Sequence, residues 1–403
     1  MSTNFNAGID SSDVVLSYGE EAQWGVLPAV QFKAIRMTAE GFREQKTRAR
    51  PEEIEPRGYA QHAITQSVAA EGSLSLAFSS GTYDDMLAGL LNGDWQTPLA
   101  ITSAANDIVA DATLTGGGMG FSTATAGKFS TVIAGQHIKT FGFTNPANNG
   151  VFRVVRCTGT EIEVAPGSGL VDETPATGTQ AIRGSVLRNG TAVHTFTFQK
   201  QLASALFLLY KGAYVSEGSL SAQQGNFMEG SLSFLVKDET KAVTNQSTGA
   251  VVPATAGRVI DTVDGVKEII VNDQPVAAVT QGIEINITKN NARAQYGIGS
   301  ASAKGMARGT LEISGTMSTY FLDFTMYDLY KAETDQLIVF EAVDNTGAGY
   351  VICLPAATLM NPQIVAGGPD SDVLAEFELE GNAGTGVYAD VVMQITKIPA
   401  AAA

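Results

Sequence analysis

The chain has 403 residues, 44% of them hydrophobic, with 43 Gly, two Cys and a formal net charge of −16. That apolar content excludes a disordered chain, two Cys far apart exclude a disulfide framework, and the acidity excludes a grip on nucleic acid through phosphates. No apolar run is long enough for a membrane helix, and the opening "MSTNFNAGIDSSDVV" lacks the basic and apolar regions of a signal peptide, so folding in the cytosol is expected.

Residues 1–27 read as an arm, in which "SYGEEAQWGVLP" is polar apart from Trp24 and Val26 and Pro28 punctuates it. Trp24 is its candidate anchor, on a neighbouring copy or on its own domain. From residue 28 to 97 a first unit is expected. "VQFKAIRMTAEGF" alternates as a strand, "REQKTRARPEEIEPRG" is a charged loop with two Pro, and "YAQHAITQSVAAEGSLSLAF" returns as a strand. Thr82 is placed as a helix N-cap, followed by Asp84 and Asp85 where the helix dipole favours acids and by the stripe Met86, Leu87, Leu90, Leu91.

Between residues 98 and 190 the texture changes to Gly/Thr/Ala runs and then to short hairpins, "QHIKTFGFTNPANNGVFRVVRCTGTEIEVAP", with "NNG" as a tight turn. This segment reads as a small inserted β domain. The first unit resumes over residues 191–240 with the strands "VHTFTFQK", "KGAYVSEGSLSA" and "GSLSFLVK". Residues 241–263 read as a linker. Residues 264–403 form a second unit with seven strands and one helix, "STYFLDFTMYDLYKAE" (318–333). A shift of 237 positions superimposes Gly72 on Gly309, Leu74 on Leu311, Leu76 on Ile313 and Tyr83 on Tyr320, so strand, break and helix occur twice in one order and point to duplication.

No residue pattern argues for catalysis. His62, His137 and His194 have no Cys or His at ligand spacing, and no nucleophile, phosphate-loop or dinucleotide fingerprint occurs. "GGGMG" (116–120) lacks a strand-to-helix setting and a Lys. Asp84 and Asp85 read as helix N-terminal acids, and Cys157 as a core thiol. No catalytic residue, metal or cofactor is expected.

The charge is uneven. Seven of the 25 basic residues lie between Lys33 and Arg57, whereas 13 acids face one base, Lys331, between Leu311 and Asp390. This is either solvated surface or a pair of complementary surfaces that meet in an assembly. "AEFELEG" puts Glu376, Glu378 and Glu380 on one strand face with Phe377 and Leu379 on the other.

Together, "LSYGEEAQWGVLP", "IRMTAEGFREQKTRARPEEIEPRG", "GSLSLAFSSGTYDDMLAGLLNGDW" and the inserted "GQHIKTFGFTNPANNGVFRVV" resemble, in that order, the major tail tube proteins of long-tailed (siphovirus-like) bacteriophages over residues 17–238. The resemblance implies a mainly β fold. Two tandem β-sandwich or half-barrel units are expected, each with one flanking helix. It also implies rings that stack into a hollow tube conducting DNA. One unit per chain needs six subunits; two need three, giving a pseudo-sixfold homotrimer. The implied partners are further copies of the chain, a tape measure protein, and tail terminator or tip proteins. DNA would pass without specific binding, and the location would be the virion tail, assembled in the host cytoplasm. On this reading Glu376, Glu378 and Glu380 line the lumen or else an outer solvated wall, and the basic segments 40–57 and 288–305 (Arg43, Lys46, Arg48, Arg50, Lys289, Arg293) are loops that reach the next ring. A decoration protein, a tail terminator and a surface adhesin are the alternatives.

Overall fold

In a computed structural model the described residues are 8–53, 56, 58–104, 107–175, 178–368 and 371–400. The fold is mainly β. The first part of the chain gives β1 (Val15–Glu20), β2 (Lys33–Ala34), β3 (Ala39–Glu40), β4 (Arg43–Ala49), β5 (Ile64–Ala77) and helix α1 (Asp84–Leu91). Seven short strands follow: β6 (Leu99–Thr102), β7 (Val109–Asp111), β8 (Met119–Ser122), β9 (His137–Phe141), β10 (Gly150–Cys157), β11 (Glu161–Val164) and β12 (Ala181–Arg188). Then come β13 (Phe196–Ala203), β14 (Leu206–Gln223), β15 (Glu229–Val236) and β16 (Asp238–Ala242). The last part holds β17 (Ile270–Val271), β18 (Gln274–Pro275), β19 (Thr280–Asn290), β20 (Arg293–Gln295), β21 (Gly305–Ala307), β22 (Thr310–Tyr320), α2 (Thr325–Ala332), β23 (Gln336–Val343), β24 (Gly349–Ala366), β25 (Val373–Asn382) and β26 (Gln394–Ile398).

The long strands follow the period-2 alternation of their sequences. Leu74 and Leu76 of β5 are buried between exposed Glu71, Ser73 and Ser75; Phe377 and Leu379 of β25 are buried between exposed Glu376, Glu378 and Glu380. Eight strands join antiparallel in the order β4–β5–β15–β14–β19–β22–β25–β24. One face of this sheet carries the core. Met86, Leu87, Leu90 and Leu91 of α1 pack into it with Phe234, Ile285, Phe377 and Leu379. Each such side chain contributes about 1.5–3 kcal/mol when fully buried.

The pairing order occurs twice. β14 and β24 are both 18 residues long, and each serves two sets of neighbours in turn. The first half of β14 lies between β13 and β16, and the first half of β24 between β23 and β26. The second halves pair with β15 and β25. β1 runs beside β13 as β17 runs beside β23. Lys46 stands opposite Val68 and Lys289 opposite Leu311, so corresponding hairpin positions are 289 − 46 = 311 − 68 = 243 residues apart, not 237. The difference, 243 − 237 = 6, is even. An even slip keeps every side chain on its own face, so alternation alone cannot distinguish the two registers.

Four other expectations change. Thr82 is not the N-cap of α1: Tyr83 holds that position without a side-chain cap bond, and Thr82 Oγ1 lies 2.7 Å from Ser79 Oγ instead. The stretch read as an arm contains β1, whose Leu16 and Tyr18 are buried against β13, so alternation in "VLSYGE" outweighs its polarity. The charged loop begins later, because "REQKTRA" is β4, held along β5 from Arg43 to Ala49; residues 54, 55 and 57 of that loop lie outside the described residues. The helix expected at 318–333 is only its second half, since residues 318–320 complete β22.

The segment 241–263 lies along the first unit. Val252 exchanges backbone hydrogen bonds with Phe32 and Ala34, and Ile260 is fully buried between Phe78 and Met228. The strands β6–β12 enclose a core of their own around Phe121, Phe129, Phe152 and Ile162. The chain leaves and re-enters there at neighbouring points: Gln96 N–H donates to Val186 O at 2.9 Å and Gly190 N–H to Leu91 O at 3.0 Å. β12 then bridges two parts, pairing with β6 through residues 181–184 and with β26 through residues 185–188.

Candidate functional site

The face of the eight-stranded sheet opposite the core is open and polar, and it can be read strand by strand. One cross-strand row runs Ser75, Ser231, Ser219, Asn286, Ser314, Glu380, Thr358. The next runs Ala77, Glu229, Ser221, Glu284, Thr316, Glu378, Met360. A third holds Ser73, Ser233, Glu217, Thr288 and Glu312. Small hydroxyl side chains keep the surface low; Ser219 Oγ and Ser231 Oγ lie 2.8 Å apart. Asn286, Thr288, Glu312, Thr316, Glu378 and Glu380 line a shallow depression in it.

Glu376, Glu378 and Glu380 all project from this face. They are joined by Glu71, Glu217, Glu229, Glu284 and Glu312, which the sequence reading missed. Among the described residues of these rows and of β4 the single base on the face is Arg43, and it is neutralised by Glu71, whose Oε1 accepts from Arg43 Nε at 2.6 Å. Elsewhere on the face the carboxylates are met by amides: Asn361 Nδ2 donates to Glu378 at 2.5 Å and Asn290 Nδ2 to Glu312 at 3.0 Å. The result is a surface of one sign, which repels a polyanion over about a Debye length, roughly 8 Å at physiological salt.

A signal for the missed acids was present. The pentapeptide EGSLS occurs three times, at 71–75, 217–221 and 229–233. The three copies lie in β5, β14 and β15, adjacent in the sheet. In each, Glu and both Ser face outward, and Gly and Leu face the core. The glycine is required by close approach. A Cβ on Gly218 would sit 2.7 Å from Leu90 Cδ2, and one on Gly230 2.8 Å from Phe78 Cε2.

The expected stacking residues do not stay together. Arg43 is on the open face. Lys46 is on the opposite side of β4, 58% exposed, with Glu44 Oε1 3.2 Å from its Nζ. Arg48 donates to Ala63 O at 2.7 Å; Arg50 and Arg293 are exposed. Lys289 is not on a loop at all. It lies in β19, 3% exposed, and its Nζ donates to Gly89 O at 2.6 Å and Asn92 Oδ1 at 2.9 Å while standing 4.0 Å above the Tyr214 ring. Burial and the neighbouring Arg308 push its pKa down to about 6. The sequence placed it by its position after an alternating run, and that run continues one residue pair further than the loop reading allowed. Trp24 packs within its own chain, its Nε1 donating to Gly212 O at 3.1 Å under Lys237 Nζ, 4.8 Å from the ring.

The His residues form no ligand set. His137 is buried, with its pKa pushed down to about 3 by desolvation and Arg153. His194 lies 2.7 Å from Glu20, which raises its pKa. His62 is exposed. Among the described residues no group of three His, Cys, Asp or Glu could hold a metal ion. Cys157 packs at the margin of the β6–β12 core, and burial raises its pKa to about 11.

The family model for phage tail tube proteins matches residues 11–381, a span that holds the first copy of the strand order and the second as far as β25. No curated protein matches the chain.

Proposed function

The chain belongs to the phage tail tube protein family, a structural component of the virion tail that assembles with itself into a tube, and from that membership we propose that it forms a siphovirus-like tube of stacked trimeric rings with the acidic face inward. One observation carries this reading: the joint between β14 and β19. There the second half of β14, the last strand of one four-stranded set, takes β19, the first strand of the next, as its neighbour. At the two ends of the eight-stranded sheet the same two kinds of edge are left open among the described residues. The second half of β24, from residue 358 to 366, has β25 on one side only, and β4 has β5 on one side only.

Open edges of this length pair readily with another chain. Repeating the internal joint between copies puts β24 of one copy beside β4 of the next. The register carried over from β14 and β19 sets Met360 opposite Gln45 and Gln363 opposite Arg43. Such a head-to-tail contact is heterologous and needs a closed ring to satisfy every edge. With two four-stranded sets per chain, three chains give the pseudo-sixfold closure. The polar face then lines the lumen, where negative charge keeps DNA from adhering as it moves. A tape measure protein during assembly, and terminator or tip proteins at the ends, would meet this same tube.

Electron microscopy of the purified protein tests the reading. Hollow tubes of rings with three chains each are expected. Rings of six chains, or a protein that stays monomeric at high concentration, would overturn it.

A further inference from the structure

The internal joint is more than a strand pair. Lys289 reaches from β19 into the C-terminal end of α1, where backbone carbonyls carry the negative end of the helix dipole. Asn92, in the left-handed conformation at φ 50°, closes that helix and supplies the second acceptor. Tyr350 Oη donates to Asp84 Oδ1 at 2.7 Å and Lys397 Nζ lies 2.5 Å from Asp84 Oδ2, so the second unit also holds the other end of α1. Residues 86–91 of α1 are all buried as a result.

The second helix has no such cover. Of α2 only Met326 is buried, and Leu322 and Phe324 beside it are 65% and 60% exposed. Ile364, on the same face at the open edge of β24, is exposed too. This is an apolar patch next to an unpaired strand edge, the combination that marks a protein interface. The helix ends as α1 does, with Glu333 in the left-handed conformation at φ 49° where α1 has Asn92. On the other open edge, Lys46 occupies the position of β4 that Lys289 occupies in β19, 243 residues later.

We propose that Lys46 of one copy caps α2 of the neighbouring copy, its ammonium paired with the Glu333 carboxylate and directed at the last carbonyls of that helix. The proposal rests on the ring reading above and adds the contact that selects the partner edge. The internal pair sets the Lys289 amine on the neutral amide of Asn92. The pair between copies would be a cation on a carboxylate, which supplies attraction between separate chains and penalises any register that puts Lys46 beside Lys331 instead. Both residues are exposed in the single chain, Lys46 having only Glu44 as an ion-pair neighbour among the described residues, so neither is needed to hold the chain's own fold.

The test is a charge swap read by assembly. Lys46→Glu and Glu333→Lys are each expected to raise the protein concentration needed for tube formation at least tenfold, with unchanged circular dichroism. The double variant is expected to return to within threefold of the parent. A second measurement uses Lys46→Cys with Glu333→Cys: oxidation should yield covalent dimers and trimers, and neither single variant should. If the parent forms three-chain rings while the swaps assemble normally and no cross-link forms, this contact is wrong and the ring stands. If the parent forms no three-chain ring, the ring reading falls and takes the contact with it.

Discussion

Lys289 Nζ lies 2.6 Å from the carbonyl oxygen of Gly89, which is 200 residues earlier in the chain. This contact joins the two four-stranded sets from within, and it is sensitive to pH. The folded-state pKa of Lys289 is about 6 against an ordinary 10.5. Between those values the unfolded chain holds a proton on Lys289 that the folded chain lacks, so stability rises with pH through that window. Below about pH 6 both states are protonated and the change levels off. Lys289→Met removes the titration. The stability of the parent relative to this variant is therefore expected to rise by up to about 1.4 kcal/mol per pH unit from pH 6 to pH 9. Urea unfolding of both proteins at four pH values measures it; parallel pH dependences would show that Lys289 stays charged in the fold.

His194 is expected to act in the opposite direction. Its hydrogen bond to Glu20 raises its pKa in the folded chain, with Asp94 adding to the shift. The stability it contributes is full at pH values below the ordinary His range, where the imidazolium is present in both states, and is lost as pH rises through the raised folded value. His194→Ala should therefore weaken the fold more at pH 5.5 than at pH 9. Thermal unfolding at the two pH values checks this, and an equal loss at both would mean that the ring acts only by packing.

The glycines of the EGSLS copies are expected to be intolerant of any side chain. Gly218→Val places two methyls where Leu90 already stands, and overpacking of this kind costs about 1–3 kcal/mol. Gly218→Val with Leu90→Ala should recover part of that loss, because the second change opens the space the first one fills. Denaturant midpoints of the two singles and the double give the coupling; strict additivity would mean that the helix moves away from the strand.

Much of this was legible from the residues. Alternation put Phe377 and Leu379 inward and Glu376, Glu378 and Glu380 outward, and "EGSLSLAFSSGTYDDMLAGLL" gave the strand and helix in the right order. What alternation could not give was register, since a slip of six residues leaves every face unchanged. Nor could it show that β19 continues the sheet of β14, because that pairing is between segments about 70 residues apart with no local signature. Lys289 was misplaced for a related reason. A lysine at the end of a strand looks like the start of a loop, and only the helix end beside it makes burial tolerable. The polar face is half visible in the sequence: alternation marks the acid triplet of β25, while the outward setting of Glu71, Glu217 and Glu229 beside it rests on the recurring pentapeptide.

Reversing the charge of the open face should change how the tube treats DNA without changing the chain's own fold. Glu376, Glu378 and Glu380 are exposed, and no ion pair to a base is formed by any of them among the described residues. Their replacement together by Lys alters the face by six charges per chain. Tubes of normal length are expected, with DNA release slowed and with salt-dependent binding of DNA fragments that the parent lacks. Normal release, with the three residues mapped to the outer wall by microscopy, would remove the acidic face from the lumen.

The β6–β12 segment is fixed to the second unit by Arg153 and Asp273. Arg153 Nε donates to Asp273 Oδ1 at 2.6 Å, with a second bond from Nη2 to Oδ2, and both side chains are more than four-fifths buried. Around them Tyr388 Oη and Gln394 Nε2 both donate to Gly135 O, at 2.7 and 3.0 Å, and Lys139 Nζ donates to Gly347 O. Two parallel bonds between a guanidinium and a carboxylate hold direction as well as distance. Removing one partner leaves the other charged and largely without water. Asp273→Asn is therefore expected to cost about 1.5–3 kcal/mol, and Arg153→Lys nearly as much, because an ammonium cannot make both bonds. The loss should be local at first. Amide exchange in β9 and β10 should quicken in Asp273→Asn while β22 and β25 keep their protection, since the segment has a core of its own. Uniform quickening across all these strands would mean that the segment and the eight-stranded sheet unfold as one unit, and that the clamp supports the whole chain.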